Sequence, residues 1–390
     1  MQHQVTERLK GDKVIWSIVA VLSLLSLLAV YSATGSLAWR MDKSSGFYLV
    51  KQFAFLLAGI GIIFVVHKIN YTKFARFSVL LFLLSIPLLI YTLFFGTTLN
   101  EGSRWIKLPV INLTFQTSDL ARLAIFMFLA RQLSIKQKVI KDFKKGFLPV
   151  LVPVLIICGL IAPANLSTAL LLGLTCCILF FIGRVDVKHI MLLAVVGMIG
   201  VATLFSVSIA FKIGRGATWQ KRIENYFGKG EDAKDKDSDS NYQITQAKIA
   251  IASGGITGRG PGKSWARDFL PHPYSDFIFA IIIEEYGILG ASVLIGIYLL
   301  FLWRSILIFR RCPYAFGAFL AVGLSFTLVF QALMNMAVNV HLVPVTGLTL
   351  PLVSMGGSSI WFNSIAIGII LSVSRYVDEM EGAGHLPTAK

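Results

Sequence analysis

Apolar residues along this chain come in blocks, and most blocks are long enough to cross a bilayer as a helix, which takes about 20 residues. Ten candidate spans lie near residues 14–33, 48–66, 75–95, 118–130, 147–163, 167–183, 188–211, 276–303, 315–338 and 355–377. The pattern predicts an all-α polytopic membrane protein, a single transmembrane domain over 1–390. One connection departs from the rest: residues 212–275, between the seventh and eighth spans, form a loop much longer than the others. Within it 228–240, GKGEDAKDKDSDS, is polar, charged and free of aromatics, and is expected to be a disordered spacer. The next segment, NYQITQAKIAIASGGITGRGPGKS, spaces Ile244, Ala247 and Ile251 as a helix does and then enters a glycine-rich turn.

Composition agrees: of 390 residues 56% are hydrophobic and 14% charged. The net charge of +16 follows from the Lys and Arg between spans, six of them in Arg131 to Lys145, which by the positive-inside rule puts both termini in the cytoplasm and the long loop outside. That excess can face anionic lipid heads and needs no nucleic-acid partner, for which no aromatic-basic platform is present. The first apolar block has the length of an anchor and no small-residue cleavage site close behind a short core. Cys158, Cys176, Cys177 and Cys312 fall within spans or on the inner side and are read as packing residues.

Against this background FLPHPYSDFIFAIIIEEYG, residues 269–287, stands out for three acids. Ser275 is expected to cap the eighth span, putting Asp276 in its first turn, where free N–H groups favour the carboxylate and partial burial opposes it. Such a group suits a general base on a sugar hydroxyl, a metal ligand, or a plain capping residue. Helix geometry turns Glu284 about 80° from Asp276 and roughly 12 Å deeper, with Glu285 on the opposite side, so the three cannot form one glycosidase-type pair; buried pairing is their expected role.

Two further segments carry candidate chemistry. In NEGSRWIKLPVINLTFQTSDLARLA, residues 100–124, Thr117 or Ser118 is expected to cap the fourth span, with Asp119 and Arg122 three residues apart on one face near the outer surface. Arg104 and Lys107 flank Trp105, as in an interfacial anchor or a phosphate contact. Residues 335–363 contain Pro344, Gly347, Pro351, Gly356 and Gly357 yet almost no charge, which predicts a re-entrant or tightly packed loop at the outer surface. GRGPGKS matches only the end of a phosphate-loop pattern and is rejected as a nucleotide site. Its glycine N–H groups, with Arg259, Lys263 and Arg267, suit either a diphosphate at the membrane surface or a tight turn.

These segments together resemble the SEDS family (shape, elongation, division and sporulation proteins) over essentially the whole chain. NEGSRWIKL and FQTSDLARLA are similar to its N-G-x-x-R-W-I and F-Q-P-S/A-E-x-x-K segments, and YQITQAKIAIASGGITGRGPGKS to its glycine-rich run. LPHPYSDFIFAIIIEEYG paired with PVTGLTLPLVSMGGSS is the specific combination. The chain departs from the family pattern at His272, Tyr274 and Ser275, at Asp119 and Arg122 in place of Glu and Lys, and at Asn165 in place of an aspartate.

The resemblance implies a peptidoglycan polymerase. It would join lipid II units by inverting transfer, with undecaprenyl diphosphate as leaving group, alongside a class B penicillin-binding transpeptidase and other divisome proteins in the bacterial inner membrane. It places the family's essential aspartate on Asp276 and substrate contacts on Arg104, Arg122, Lys263 and Ser264, and leaves a divalent cation (Mg or Mn) at Asp276 open. The long charged loop favours a division member over an elongation member. A lipid II flippase using Glu284 and Glu285, or a non-catalytic divisome scaffold, are the competing classes.

Overall fold

The computed structural model of the protein describes residues 10–35, 37, 42, 44–99, 102–107, 114–210, 219–220, 226, 239–270 and 273–383. Each predicted span is a helix there: α1 Lys13–Ala33, α2 Ser45–Lys68, α3 Tyr71–Phe95, α4 Thr117–Lys136, α5 Leu148–Ile161, α6 Leu166–Ile182, α7 Val187–Ala210, and, after two helices in the long loop (α8 Asp239–Gly254 and α9 Ala266–Phe269), α10 Ile278–Arg311, α11 Ala315–Asn339 and α12 Ser358–Gly382. Eight of the helical segments are long and apolar enough to cross a membrane, α5 among them together with the π-helical turn Phe143–Phe147 that runs into it. Of the other two, α6 is short at 17 residues and α4 carries Asp119, Arg122 and Arg131. The chain is a multi-pass membrane protein. Most of the predicted spacer 228–240 lies outside the described residues.

Burial sorts the helices. The apolar windows of α11 and α12 are 78% and 72% buried, and α4 is buried on all sides from Thr117 to Ala130, whereas the window of α7 has no buried residue. The centre is therefore α4, α11 and α12, and polar side chains on these helices face one another instead of lipid. Helices α2 and α12 approach closely at glycines: a Cβ on Gly59 would meet Ser364 Oγ at 2.7 Å, and one on Gly368 would meet Val66 at 2.8 Å.

A small antiparallel sheet, unforeseen in the sequence, leads into α4. Strands β1 Thr97–Leu99, β2 Gly102–Lys107 and β3 Thr114–Gln116 lie in the order β1-β2-β3, with Trp105 opposite Gln116 and Lys107 opposite Thr114. The expected cap by Thr117 or Ser118 is corrected: Gln116 is the N-cap, with no side-chain cap bond, because the chain passes straight from β3 into the helix. Its N–H is taken by Ser358 Oγ at 3.3 Å, at the start of α12.

The irregular loop expected over 335–363 is narrower in the structure: 335–339 and 358–363 belong to α11 and α12, while residues 340–357 form a packed irregular loop. Its carbonyls are satisfied from the bundle, as non-helical backbone among spans requires. Tyr298 Oη donates to Pro351 O (2.6 Å) and Ser26 Oγ to Val353 O (2.8 Å).

Candidate functional site

Asp276 lies in a turn, residues 273–277, before α10. The expected Ser275 cap is corrected: Phe277 is the N-cap, with no side-chain cap bond. The Ser275 hydroxyl instead donates to Asp276 Oδ1 at 2.7 Å. The capping role passes to another helix, since Asn339 Oδ1 of α11 accepts the Ala280 N–H at 3.0 Å. The Asp276 backbone is held on several sides. Asn335 and Asn339 Nδ2 both donate to its carbonyl (3.0 and 2.9 Å), Ser354 Oγ donates to Ser275 O (2.6 Å), and Met355 N–H donates to Tyr274 O (2.9 Å). Its half-buried carboxylate forms no ion pair among the described residues.

Helix α10 breaks at Gly287 (φ 67°, ψ −169°), and the glycine-rich loop fills the break. The Ile288 and Leu289 N–H groups, which lose their partners in the helix, donate to Gly255 O (3.0 Å) and Ile256 O (3.2 Å). The freed Glu284 and Glu285 carbonyls accept Arg259 N–H and Gly260 N–H, both at 2.9 Å. This corrects the picture of a free anion cradle at these two residues: their N–H groups cap a broken helix, because no irregular backbone at this depth can stay unpaired.

The two buried glutamates anchor that loop. Glu284 accepts Ser264 Oγ (2.5 Å), Trp265 N–H (3.0 Å) and Ala266 N–H (3.2 Å), and its Oε1 lies 3.7 Å from Arg259 NH1. The Arg259 guanidinium also stands 4.5 Å over the Trp265 ring. Glu285 accepts a hydrogen bond from Ser32 Oγ of α1. Buried pairing is thus their observed state, and the Ser264 hydroxyl is committed to Glu284. Lys263 is exposed beside the turn.

Arg122, in the second turn of α4, is not exposed as an interfacial anchor would be. It is buried between α4, α11 and α12. It donates to Gln331 Oε1 and, at 3.4 Å, to Asn363 Oδ1, and lies 3.6 Å from Asp119. A narrow cavity bordered by Asp119, Arg122, Leu324 and Phe362 opens beside it. The backbone of Arg104 lies in β2; its side chain and His272 lie outside what is described. Among the described residues no group of three or more His, Cys, Asp or Glu is arranged for a metal. Asn165 caps α6 by accepting Thr168 N–H at 3.3 Å.

The residues missed from sequence are amides: Gln331, Asn335, Asn339 and Asn363. Uncharged amides among apolar neighbours carry a weak signal, which for Gln331, Asn335 and Asn339 is their four-residue spacing within one span.

The family model described as "Cell cycle protein" (FtsW, RodA, SpoVE) matches residues 12–379. The chain is 34% identical over 381 residues to stage V sporulation protein E of Bacillus subtilis, covering 95% of this chain and 99% of that protein. It is 31% identical over 367 residues to a probable peptidoglycan glycosyltransferase FtsW of Geobacter sulfurreducens, covering 93% and 95%. Two solved structures share the fold. One is a peptidoglycan synthase complex described as coordinating polymerization and crosslinking (TM-score 0.73, 24% identity, 94% of this chain and 98% of that one). The other is the rod shape determining protein RodA of Thermus thermophilus (TM-score 0.67, 23% identity, 94% and 97%).

Proposed function

The chain belongs to the FtsW/RodA/SpoVE family of cell cycle proteins, the SEDS family, and from that membership we propose that it is a peptidoglycan glycosyltransferase that polymerises lipid II. The observation that carries the reading is Asp276: a half-buried carboxylate, unpaired with any described cation, on a backbone pinned from α11 and the 340–357 loop. Such a group can take a proton from a sugar hydroxyl without first breaking an ion pair.

In the reaction, the 4-hydroxyl of the acceptor sugar attacks the anomeric carbon of a donor carried on undecaprenyl diphosphate. Asp276 removes the hydroxyl proton as the new glycosidic bond forms, the bond from the anomeric carbon to the diphosphate oxygen breaks, and configuration inverts. Arg104 and Lys263 are assigned to the departing diphosphate, whose charge they offset. Arg122, paired with Asp119, acts from inside the bundle at the wall of its cavity. Ser264 orders the loop that carries Lys263. Asp276 fits a divalent cation only in the manner of magnesium, held by one carboxylate together with substrate phosphates. When bound, such an ion would offset the diphosphate charge.

A division role is the finer reading, supported by the long charged loop and by relatives named FtsW. A class B penicillin-binding transpeptidase is the proposed partner, in line with the polymerization and crosslinking described for the synthase complex of the same fold. The proposed setting is the bacterial inner membrane, with both termini cytoplasmic. The transport reading loses its two acids, since Glu284 and Glu285 are engaged by the loop and by α1. The test is purified protein with its transpeptidase partner and labelled lipid II in detergent, where no second compartment exists. Glycan chains are expected; their absence, with flipping intact in vesicles, would favour transport.

A further inference from the structure

Three amides stand at i, i+4 and i+8 on one face of α11: Gln331, Asn335 and Asn339, each no more than 2% exposed. Their orientations are fixed by partners that cannot exchange donor and acceptor. Arginine only donates, so Gln331 turns Oε1 to Arg122 and Nε2 to the Thr349 carbonyl (2.8 Å). Asn335 Nδ2 faces two carbonyls, Asp276 O at 3.0 Å and Leu348 O at 2.6 Å. Asn339 Oδ1 accepts a backbone N–H, that of Ala280, so its Nδ2 faces Asp276 O (2.9 Å) and Asn335 O (2.8 Å).

We infer that this amide row is a positioning device that fixes Asp276 and Arg122 relative to each other, through one rigid helix, for the transfer step; the inference rests on the catalytic role proposed for Asp276. The Asp276 carbonyl receives two side-chain donors from successive turns of α11, which removes the freedom of the peptide that carries the carboxylate. Asn339 adds a cap on Ala280, so the start of α10 is tied to the same side chain as the turn before it. Gln331 links the buried guanidinium to Thr349, the loop residue next to Leu348, which Asn335 grips. Gln331 and Asn339 work at both ends, accepting through the oxygen and donating through the nitrogen, while Asn335 bridges two elements from its Nδ2 alone. A misplacement of about 1 Å in a reacting group can cost about a hundredfold in rate, so loss of the row is expected to appear in the chemical step.

The experiment measures initial rates of glycan synthesis over a range of labelled lipid II concentrations in detergent, with the transpeptidase partner present. The variants are Asn335→Ala, Asn339→Ala, the pair together, and Asp276→Asn, each normalised to folded protein by thermal unfolding. Each single Asn variant should lower kcat about tenfold with KM within about twofold, because substrate binding is left in place. The pair should fall by more than the product of the singles, since either amide still holds the carbonyl when the other is gone. Where an Ala variant fails to fold, Asn335→Leu replaces it: the apolar side chain is close in size, and the Asn339 grip and cap remain. An unchanged kcat per folded molecule, or a rise in KM alone, overturns the inference while an inactive Asp276→Asn leaves the proposed function standing. An active Asp276→Asn removes the catalytic reading itself.

Discussion

A Cβ built on Gly258 would lie 2.2 Å from the Glu285 carbonyl oxygen, at a backbone φ of +81°. The loop can therefore enter the break in α10 only as glycine at this position. Gly258→Val should unseat the loop, lower the thermal unfolding midpoint and abolish glycan synthesis. Gly260 also has positive φ (+99°), but the nearest atom to a Cβ there is the flexible Lys263 side chain at 3.7 Å, so Gly260→Ala should cost about 1 kcal/mol. Thermal melts that rank the two in the opposite order would contradict this fit. Replacing 229–238, which stops short of α8, by a Gly-Ser linker of equal length should leave rate and stability near wild type, as the segment has no apolar side chain larger than alanine to bury.

Glu284 gathers Ser264, Trp265, Ala266 and Arg259 around one buried carboxylate. Glu284→Ala should destabilise the protein by about 3 kcal/mol or more, because several donors lose their acceptor together. Glu284→Gln should fall between this variant and wild type. Hydrogen exchange at the Trp265 and Ala266 amides reads the loss directly: both should exchange faster in Glu284→Ala. Protection equal to wild type would show that the loop is held by other contacts.

Arg122→Lys should keep part of the glycan synthesis and Arg122→Ala much less. Lysine preserves a cation for Asp119 but cannot span Gln331 and Asn363 as the guanidinium does. Burial adds a consequence that a surface anchor would not have. Arg122→Ala leaves Asp119 without its cation, and the unfolding midpoint should drop with a stability cost of about 3 kcal/mol. Equal activity and equal midpoints for the two variants would remove Arg122 from the working part of the bundle.

Helix number and order were legible because each apolar block is long enough to be read without tertiary context, and α1 to α7 and α10 to α12 follow those blocks closely. The packed loop and the pairing of Glu284 and Glu285 were legible too, since a charge or a proline in an apolar setting demands a partner. Helix phase gave Arg122 its face but not its burial, which depends on how α11 and α12 close over α4. The Ser275 cap failed where a distant side chain, Asn339, caps α10 instead, and the Thr117 cap failed because β3 runs straight into α4 and leaves Gln116 as the N-cap. The break at Gly287 was hidden because one glycine in an apolar run does not reveal that a loop some 30 residues earlier supplies the missing hydrogen bonds.

The catalytic role of Asp276 is tested most directly by the rate of glycan synthesis of Asp276→Asn. The exchange is nearly isosteric, and the backbone contacts to Asn335, Asn339 and Ser354 do not involve the carboxylate, so folding and binding of the transpeptidase partner should match wild type. With purified complex and labelled lipid II in detergent, no glycan chains above background are expected from this variant and abundant chains from wild type. Chains made at a near-normal rate by well-folded Asp276→Asn would contradict that role.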